Sequence, residues 1–310
     1  MTSASRSVIE TDRLTKEYER IRALDAISLQ VPEGSIFGFL GPNGAGKTTT
    51  IRVLMGFIQA TSGRASVFGH DCWSDGVAAR SRIGYLVTAD ALYPDLSGGD
   101  QLEYAAAISG AAPVWRDRLL DALELGRDML GRRLGAYSKG MRQKLALVAA
   151  TQHAPELLIF DEPTDGLDPL IQRNFEELLR EFRAEGTTIF MSSHDLGEVE
   201  RLCDQLAVVR AGKLIASGSM ASLKRQFSQR VEITFANTIP IGIEHVAGAS
   251  MTERNGSRVT LHLDRDINPL LHFLACHEVE RMVIRPPELQ EVFLGYYEQG
   301  EAMADGAPLR

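Results

Sequence analysis

A glycine-rich segment of eight residues constrains this 310-residue chain more than any other feature. The segment Gly41-Pro42-Asn43-Gly44-Ala45-Gly46-Lys47-Thr48 fits the phosphate-loop pattern G-x-x-x-x-G-K-[ST] at every fixed position. Glycines let backbone N–H groups close around a chain of phosphates, because no Cβ obstructs the approach. In this pattern the lysine binds the β- and γ-phosphates and the hydroxyl after it is a ligand of Mg²⁺. We therefore predict a phosphate site in which Lys47 is the cation, Thr48 is the metal ligand and Thr49 lies beside them.

The segments on either side of this loop predict the local fold. Ser35–Leu40 is apolar and predicts a buried strand, and Thr48–Met55 predicts the start of a helix. Strand, loop and helix in this order point the N-terminus of the helix at an anion. An ordinary glycine-rich turn would require neither the lysine and threonine nor these flanks, so the phosphate-binding interpretation is favoured.

Length and composition predict a globular protein of about two domains. Hydrophobic residues make up 44% of the chain and charged residues 24%. The net charge of −8 argues against broad, nonspecific binding to nucleic acid. The cysteines, Cys72, Cys203 and Cys276, are far apart and form no C-x-x-C pair. A disulfide framework is therefore not expected, and a reducing cytoplasm fits.

The sequence predicts no membrane span. Its apolar runs, such as Leu157–Phe160, are far shorter than the ~20 residues that a helix needs to cross a bilayer. Met1–Ser7 lacks the apolar stretch of a secretory signal. Any role at a membrane is therefore expected to come through a partner protein.

Strand and helix patterns alternate over the first two thirds of the chain. After the phosphate loop, strands are predicted at Ala65–Phe68, Ile83–Val87, Leu157–Phe160, Thr187–Met191 and Gln205–Arg210. Helical patterns dominate between residues 100 and 150. The βαβ alternation implies an α/β domain over residues 1–220, with a mostly parallel sheet and a helical insert at about 90–150.

A different pattern follows this domain. Val231–Phe235 alternates as a half-exposed strand, and Arg254–Ser257 is a hairpin turn signal. A helix at Asn268–Cys276, a strand at Val279–Ile284 and a helix at Pro287–Tyr297 complete a small α+β domain over residues 221–300. Residues 301–310 are predicted to be a frayed tail.

An apolar strand that ends in two acids supports the phosphate interpretation. In Leu157–Glu162, neighbouring strand side chains point to opposite faces, so Asp161 and Glu162 can take different roles. Asp161 can hold Mg²⁺ directly or through water, and Glu162 can polarise an attacking water as a general base. Many strands end in a solvated acid, but a phosphate loop upstream favours the functional interpretation.

An ordered set of motifs over residues 8–220 resembles the ATP-binding-cassette (ABC) family of transporter ATPase subunits. Tyr137–Met141 resembles the signature motif of that family, Asp165–Asp168 its D-loop, and His194, after Met191-Ser192-Ser193, its switch histidine. Tyr18 stands where the family has an aromatic that stacks on adenine. The resemblance implies a P-loop NTPase fold of the ABC type that binds ATP and Mg²⁺.

The resemblance also assigns roles and partners. Lys47, Glu162 and His194 would be catalytic, with Thr48 and Asp161 on the metal. Two nucleotide domains would pair head to tail, so that Ser138 and Gly140 contact the ATP of the opposite subunit. A separate membrane permease would dock on the helical insert and hold the chain at the cytoplasmic face. The ending Pro287–Leu294 and the C-terminal accessory domain resemble the antibiotic and multidrug exporter branch.

One position departs from the family pattern. Where the family has a glutamine or glutamate that reaches Mg²⁺ and the attacking water, this chain has Thr88. Threonine is too short to bridge in the same way, so Asp90 substitutes, or water fills the gap, or turnover is altered.

The sequence thus predicts an ATPase subunit that powers an exporter of drug-, antibiotic- or lipid-like substrates, with no nucleic-acid partner. Two rivals stay open. One is a cassette ATPase that acts on nucleic acid or ribosomes, although such proteins usually carry two cassettes or a long coiled-coil insert. The other is an ATP-binding regulator that hydrolyses weakly, which Thr88 suggests.

Overall fold

The computed structural model describes residues 6–86, 91–225, 228–263, 266–285 and 289–290. The chain divides into two compact units, Met1–Ser217 and Gly218–Arg310, which are described separately. The predicted tail and most of the predicted helix at Pro287–Tyr297 lie outside the described residues, as do Thr88 and Asp90. In the described part of the chain, no helix is both long and apolar enough to cross a membrane.

In the part of the first unit that the structure describes, ten strands form two sheets. They are β1 (Ser7–Tyr18), β2 (Ile21–Pro32), β3 (Ile36–Leu40), β4 (Ser62–Val67), β5 (His70–Asp71), β6 (Ile83–Tyr85), β7 (Leu157–Asp161), β8 (Thr188–Ser193), β9 (Gln205–Arg210) and β10 (Lys213–Ser219). The order is β10-β9-β3-β8-β7-β6 in the six-stranded sheet and β2-β1-β4-β5 in the four-stranded sheet.

The six-stranded sheet carries the predicted phosphate loop. β3 pairs in parallel with β8 and β9, and β7 pairs in parallel with β6 and β8. All five residues of β3 are buried, and Phe37 and Phe39 pack on Phe190 of β8 with ring centroids 5.9 and 5.5 Å apart. Because parallel strands are covered on both faces, β3 is an uninterrupted apolar run and places the loop after it at the sheet's carboxyl edge. The predicted parallel sheet is confirmed.

The four-stranded sheet was not predicted. β1 pairs antiparallel with β2 from Ser7↔Pro32 to Tyr18↔Ile21, and with β4 on its other side. The Thr11 hydroxyl donates to Ile27 O at 3.0 Å and accepts from Leu29 N at 2.9 Å. Leu14, Leu24, Ile27 and Val31 are fully buried between this sheet and the rest of the core. The sheet therefore belongs to the same hydrophobic core as the phosphate loop.

Seven α-helices occur in the described residues of the first unit. They are α1 (Lys47–Leu54), α2 (Gly76–Arg80), α3 (Gly98–Ser109), α4 (Arg116–Ala122), α5 (Lys139–Thr151), α6 (Pro169–Ala184) and α7 (Leu196–Leu202). Short 3-10 turns occupy Arg127–Gly131 and Leu134–Ala136. α3 to α5 form the predicted helical insert, in which Ser97 caps α3 in a capping box with Asp100 and Ser138 caps α5.

The second unit is a small α+β structure with its own core. Its elements are α8 (Met220–Lys224), β11 (Gln229–Phe235), β12 (Ala249–Asn255), β13 (Arg258–Leu263), α9 (Asn268–Leu274) and β14 (Val279–Arg285), with a 3-10 turn at Ile243–His245. The sheet order is β12-β13-β11-β14. The predicted hairpin turn is confirmed, with Gly256 at φ +58° between β12 and β13.

Candidate active site

The phosphate loop leads directly into α1, whose first residue is Lys47. The residue before α1, Gly46, adopts a left-handed φ of +105°, and no side chain caps the helix. A Cβ on Gly46 would lie 2.7 Å from Ala23 O, and one on Gly41 would lie 2.4 Å from Val209 O. Since the first N–H groups of a helix lack partners within the helix, the loop presents free donors to an anion. The short Cβ distances show that the close backbone packing around the loop requires both glycines.

The Lys47 side chain is buried and held by three oxygens. Its Nζ donates to Gly41 O at 2.7 Å and to Pro42 O at 3.3 Å, both in its own loop. The same Nζ lies 3.2 Å from Glu162 Oε1, and only 5% of the Lys47 side chain is exposed. Lys47 and Glu162, which are 115 residues apart in sequence, thus meet as an ion pair beside the phosphate loop.

The acidic pair at the end of β7 differs in part from its prediction. Asp161 is the last residue of β7, and its carboxylate accepts a hydrogen bond from the Ser192 hydroxyl at 2.5 Å. Glu162 lies beyond the strand, with a left-handed φ of +50°. Its N–H donates to Ser192 O and Ser192 Oγ, at 3.3 and 3.1 Å. The two acids have different partners, Ser192 for Asp161 and Lys47 for Glu162, and only Asp161 belongs to the strand.

His194 and Asp165 converge on Glu162. His194 follows β8, and its Nδ1 lies 3.1 Å from Glu162 Oε2. One ligand-type atom from each of Glu162, Asp165 and His194 falls within 4.8 Å of the other two. Burial, followed by the charge of Glu162, raises the pKa of Asp165. The arrangement holds a carboxylate and an imidazole next to a buried ammonium, which is suited to moving a proton beside a phosphate.

A cavity of about 400 Å³ adjoins these groups. Its lining comprises Ile21, Arg22, Ala23, Pro42, Asn43, Gly44, Gly46, Lys47, Thr48, Thr49, Glu162, Ala211 and Gly212. Most of the predicted phosphate-site residues therefore face one cavity. Gly41 and Ala45 are buried and are not among the described residues that line it.

Tyr18 does not line this cavity, although it lies close in the fold. It ends β1 and pairs in register with Ile21, which does line the cavity. The ring is 40% exposed, and Lys16 Nζ lies 5.0 Å from its centroid. The predicted stacking role of Tyr18 stays a prediction, and Ile21, which is 69% exposed, is an apolar neighbour that the sequence reasoning did not identify.

The predicted signature residues lie away from this cavity, at the start of α5. The Ser138 hydroxyl caps α5 by accepting from Met141 N at 3.2 Å, and Ser138 is exposed. A Cβ on Gly140 would lie 3.4 Å from Gly166 O, so the start of α5 packs against the predicted D-loop. Ser138 and Gly140 are not among the described residues that line the cavity.

Two further residues contact the site without lining it, and neither was predicted from the sequence. Gln143 on α5 donates from Nε2 to Pro163 O at 2.9 Å, directly after Glu162. Glu198 on α7 accepts hydrogen bonds from Thr164 Oγ1 at 2.8 Å and from Ser193 Oγ at 2.6 Å. The available signal was weak: each is a polar residue on the buried side of its helix.

A second cavity of about 560 Å³ lies beside the helical insert. It is lined from α2, β6, α3 and α5, mostly by apolar side chains. Val77 and Ile108 on its rim are 80% and 69% exposed. His153 also lines it, with a buried Nδ1 that has no hydrogen-bond partner, and burial lowers the pKa of this histidine. Exposed apolar surface around a groove is typical of a protein interaction site.

Comparison with known proteins finds one family and many relatives. The family described as ABC transporter matches residues 24–165. The chain is 36% identical over 233 residues to a bacitracin transport ATP-binding protein, BcrA, of Bacillus licheniformis, covering 74% of this chain and 76% of the relative. It is 34% identical over 307 residues to a daunorubicin resistance ATP-binding protein, DrrA3, of Streptomyces coeruleorubidus, covering 93% and 95%.

Solved structures agree with these relatives. One described as the ATP-binding subunit of an ABC transporter is 31% identical, has a TM-score of 0.66, and covers 71% of this chain and 93% of its own. A dimeric ATP-binding cassette, MJ0796, described as bound to ADP and Pi, is 20% identical, with a TM-score of 0.62 and coverage of 68% and 98%. The second likeness concerns the fold alone.

Proposed function

This chain belongs to the ABC transporter family of ATP-binding subunits, and on that premise we propose how its residues bind and cleave ATP. Proteins of this family hydrolyse ATP, and the chain is the ATPase subunit that powers an exporter. One observation carries the residue assignment. Lys47, Glu162 and His194 come from three separate segments and meet at the phosphate loop, with contacts of 3.2 and 3.1 Å.

The proposed catalytic roles follow from the positions of these groups. Lys47 and the free N–H groups at the start of α1 would bind the phosphates, because positive and partially positive groups line that wall of the cavity. Glu162 would take a proton from the attacking water, and His194 would orient Glu162 and contact the γ-phosphate. The positive φ of Glu162 turns its carboxylate towards Lys47, which supports this assignment.

The oxygen donors near the loop fit Mg²⁺. Thr48 lines the cavity with a hydroxyl, and Asp161 ends β7 with a carboxylate of which Oδ1 accepts from Ser192. Hydroxyl and carboxylate oxygens are the ligands that Mg²⁺ prefers. Thr48 and Asp161 would hold the ion, the latter directly or through water, and the bound ion would neutralise charge on the β- and γ-phosphates.

We propose that two such domains pair around ATP. Ser138 is exposed at the start of α5 and stands apart from the cavity of its own chain. Its hydroxyl, Gly140 and the first N–H groups of α5 form a second helix N-terminus that would contact the γ-phosphate on an opposite domain. Loss of that phosphate would remove the shared anion and release the pair.

The partner at the membrane is proposed to be a separate permease. The groove beside the helical insert, with its exposed rim residues Val77 and Ile108, would receive it. By analogy with the bacitracin and daunorubicin proteins, the cargo would be an antibiotic or a similar amphipathic drug. The chain would then lie at the cytoplasmic face, held there by the permease.

ATP hydrolysis by site variants tests the catalytic assignment. Glu162→Gln and His194→Ala should each lower kcat by about 100-fold or more while ATP binding is retained, because each removes a group that acts on the attacking water. Glu181→Gln is the matched control, since Glu181 pairs with Arg118 on the surface of the first unit. A Glu162→Gln variant as active as the wild type would refute the base assignment.

A further inference from the structure

The two segments that carry Glu162 and His194 need a link beyond the sheet. β7 and β8 are neighbours, and Asp161 pairs in register with Ser192. Both catalytic candidates lie past the ends of these strands, where the Glu162 N–H still donates to Ser192 O and Ser192 Oγ, at 3.3 and 3.1 Å. Their side chains are in contact, with Nδ1 of His194 3.1 Å from Oε2 of Glu162. A further link joins the residues just outside these contacts, Thr164 after Glu162 and Ser193 before His194.

Glu198 provides this link from α7. Its Oε2 accepts from the hydroxyl of Ser193, the residue before His194, at 2.6 Å. Its Oε1 accepts from the hydroxyl of Thr164, two residues after Glu162, at 2.8 Å. One carboxylate thus bridges the two segments. Two oxygens of a single carboxyl group accept these bonds, so the two segments are joined through one side chain.

The surroundings of Glu198 argue that it is not there for stability. The residue is 4% exposed. In the described part of the chain, no lysine or arginine lies within ion-pair distance of it, although its charge acts on Arg201, which pairs with Glu176. A buried carboxylate without an ion-pair partner destabilises the folded state, even when hydroxyls solvate it. A carboxylate at this buried position therefore calls for a role in the position of its neighbours.

We propose that Glu198 is a positioning residue for ATP hydrolysis, which holds Ser193 and Thr164 so that His194 and Glu162 keep their contact. Glu198 touches neither nucleotide nor water in this scheme and acts only through the two hydroxyls. The inference rests on the proposed roles of Glu162 and His194. It assigns to α7 a function that the phosphate loop, the acidic pair and the signature do not cover.

The protonation behaviour of Glu198 supplies a readout that separates positioning from stability. Burial, together with the charges of Asp195 and Glu176, raises the pKa of Glu198. Because this pKa is higher in the folded chain than in the unfolded chain, protonated Glu198 stabilises the fold fully below the unfolded pKa, which is about 4. This stability is lost as the pH rises through the pKa of the folded chain. Glutamine imitates the neutral form at every pH. Glu198→Gln should therefore not lower Tm at pH 8.

The test compares Glu198→Gln with Glu176→Gln in the full-length chain. Glu176 is a control of similar burial, at 3%, whose carboxylate pairs with Arg180 and Arg201 and not with Ser193 or Thr164. It acts on Glu198 only through its charge, which raises the pKa of that carboxyl group. Glu198→Gln should lower kcat about tenfold, and Glu198→Ala about 100-fold, with KM for ATP nearly unchanged. Glu176→Gln should lower Tm, since it removes the buried partner of two half-exposed arginines, and leave kcat unchanged.

A double-mutant cycle tests the route of the effect. Thr164→Val should lower kcat in the wild-type background and add little in the Glu198→Gln background, because both changes break the same link. Wild-type kcat in Glu198→Gln would overturn the proposal, and so would a parallel fall of kcat and Tm. An active Glu162→Gln variant would instead refute the base assignment, and the Glu198 inference would fall with it.

Discussion

Replacement of Glu162 by glutamine should strengthen ADP binding, because the carboxylate competes for Lys47. The two charges lie 3.2 Å apart, and the lysine side chain is 5% exposed while the glutamate side chain is 23% exposed. At an effective dielectric constant of about 20, their Coulomb attraction is about 5 kcal/mol. Desolvation and solvent screening offset most of this, which leaves about 1 kcal/mol for a partly exposed pair. Release of Lys47 should therefore lower the Kd for ADP about fivefold.

The assay is isothermal titration of the full-length chain with ADP in EDTA, so that no metal contributes. ADP is the better probe, since it lacks the γ-phosphate that would also be repelled by Glu162 in the wild type. Glu181→Gln removes an equal charge at the surface and should leave the affinity unchanged. Unchanged or weaker ADP binding by Glu162→Gln would refute the competition between carboxylate and phosphate for the lysine.

Three further outcomes follow from the structure. Gly46→Ala should destabilise the chain by about 2 kcal/mol more than Gly44→Ala in thermal unfolding, because both glycines have positive φ but only Gly46 packs against backbone. Equal losses of stability in the two variants would contradict this. At pH 8 a maleimide should label exposed Cys276 rapidly and Cys72 only on unfolding, because burial raises the pKa of Cys72 to about 12. Peptide mass mapping identifies the labelled cysteine, and fast labelling of Cys72 in the folded chain would contradict the prediction. Gln143→Ala should lower kcat about tenfold with little change in Tm, whereas wild-type kcat would deny Gln143 a role in placing Glu162.

The parts of the fold that local pattern encodes could be predicted from the sequence. β3, the phosphate loop and α1 are contiguous, and β7 to β9 are short apolar runs, so period and spacing identified them. Residues 8–40 have a local strand pattern and β1 and β2 form a hairpin, but the four-stranded sheet was missed because β4 joins β1 across more than 40 residues, and such pairing leaves no local signal.

The site could likewise be predicted only where its residues belong to local sequence motifs. Lys47 and Glu162 belong to sequence motifs, so their places in the site could be predicted from the motifs. The turn of the backbone at Glu162 was not predictable, because a positive φ at a glutamate is a strained conformation that the surrounding structure imposes. Glu198 was missed for a similar reason. A glutamate on a seven-residue helix is usually a solvated charge, and nothing in the sequence indicates that Thr164 and Ser193 donate hydrogen bonds to this one.

The geometry of α5 has a consequence for timing. Ser138 at its start and Gln143 within it lie about 7.5 Å apart along one rigid axis. When Ser138 contacts the ATP bound to a partner domain, the whole helix would shift. Gln143 would transmit this shift to the carbonyl of Pro163, the residue after Glu162. Each subunit would thus adjust the position of the base in its neighbour, so that hydrolysis at the two sites would be coordinated.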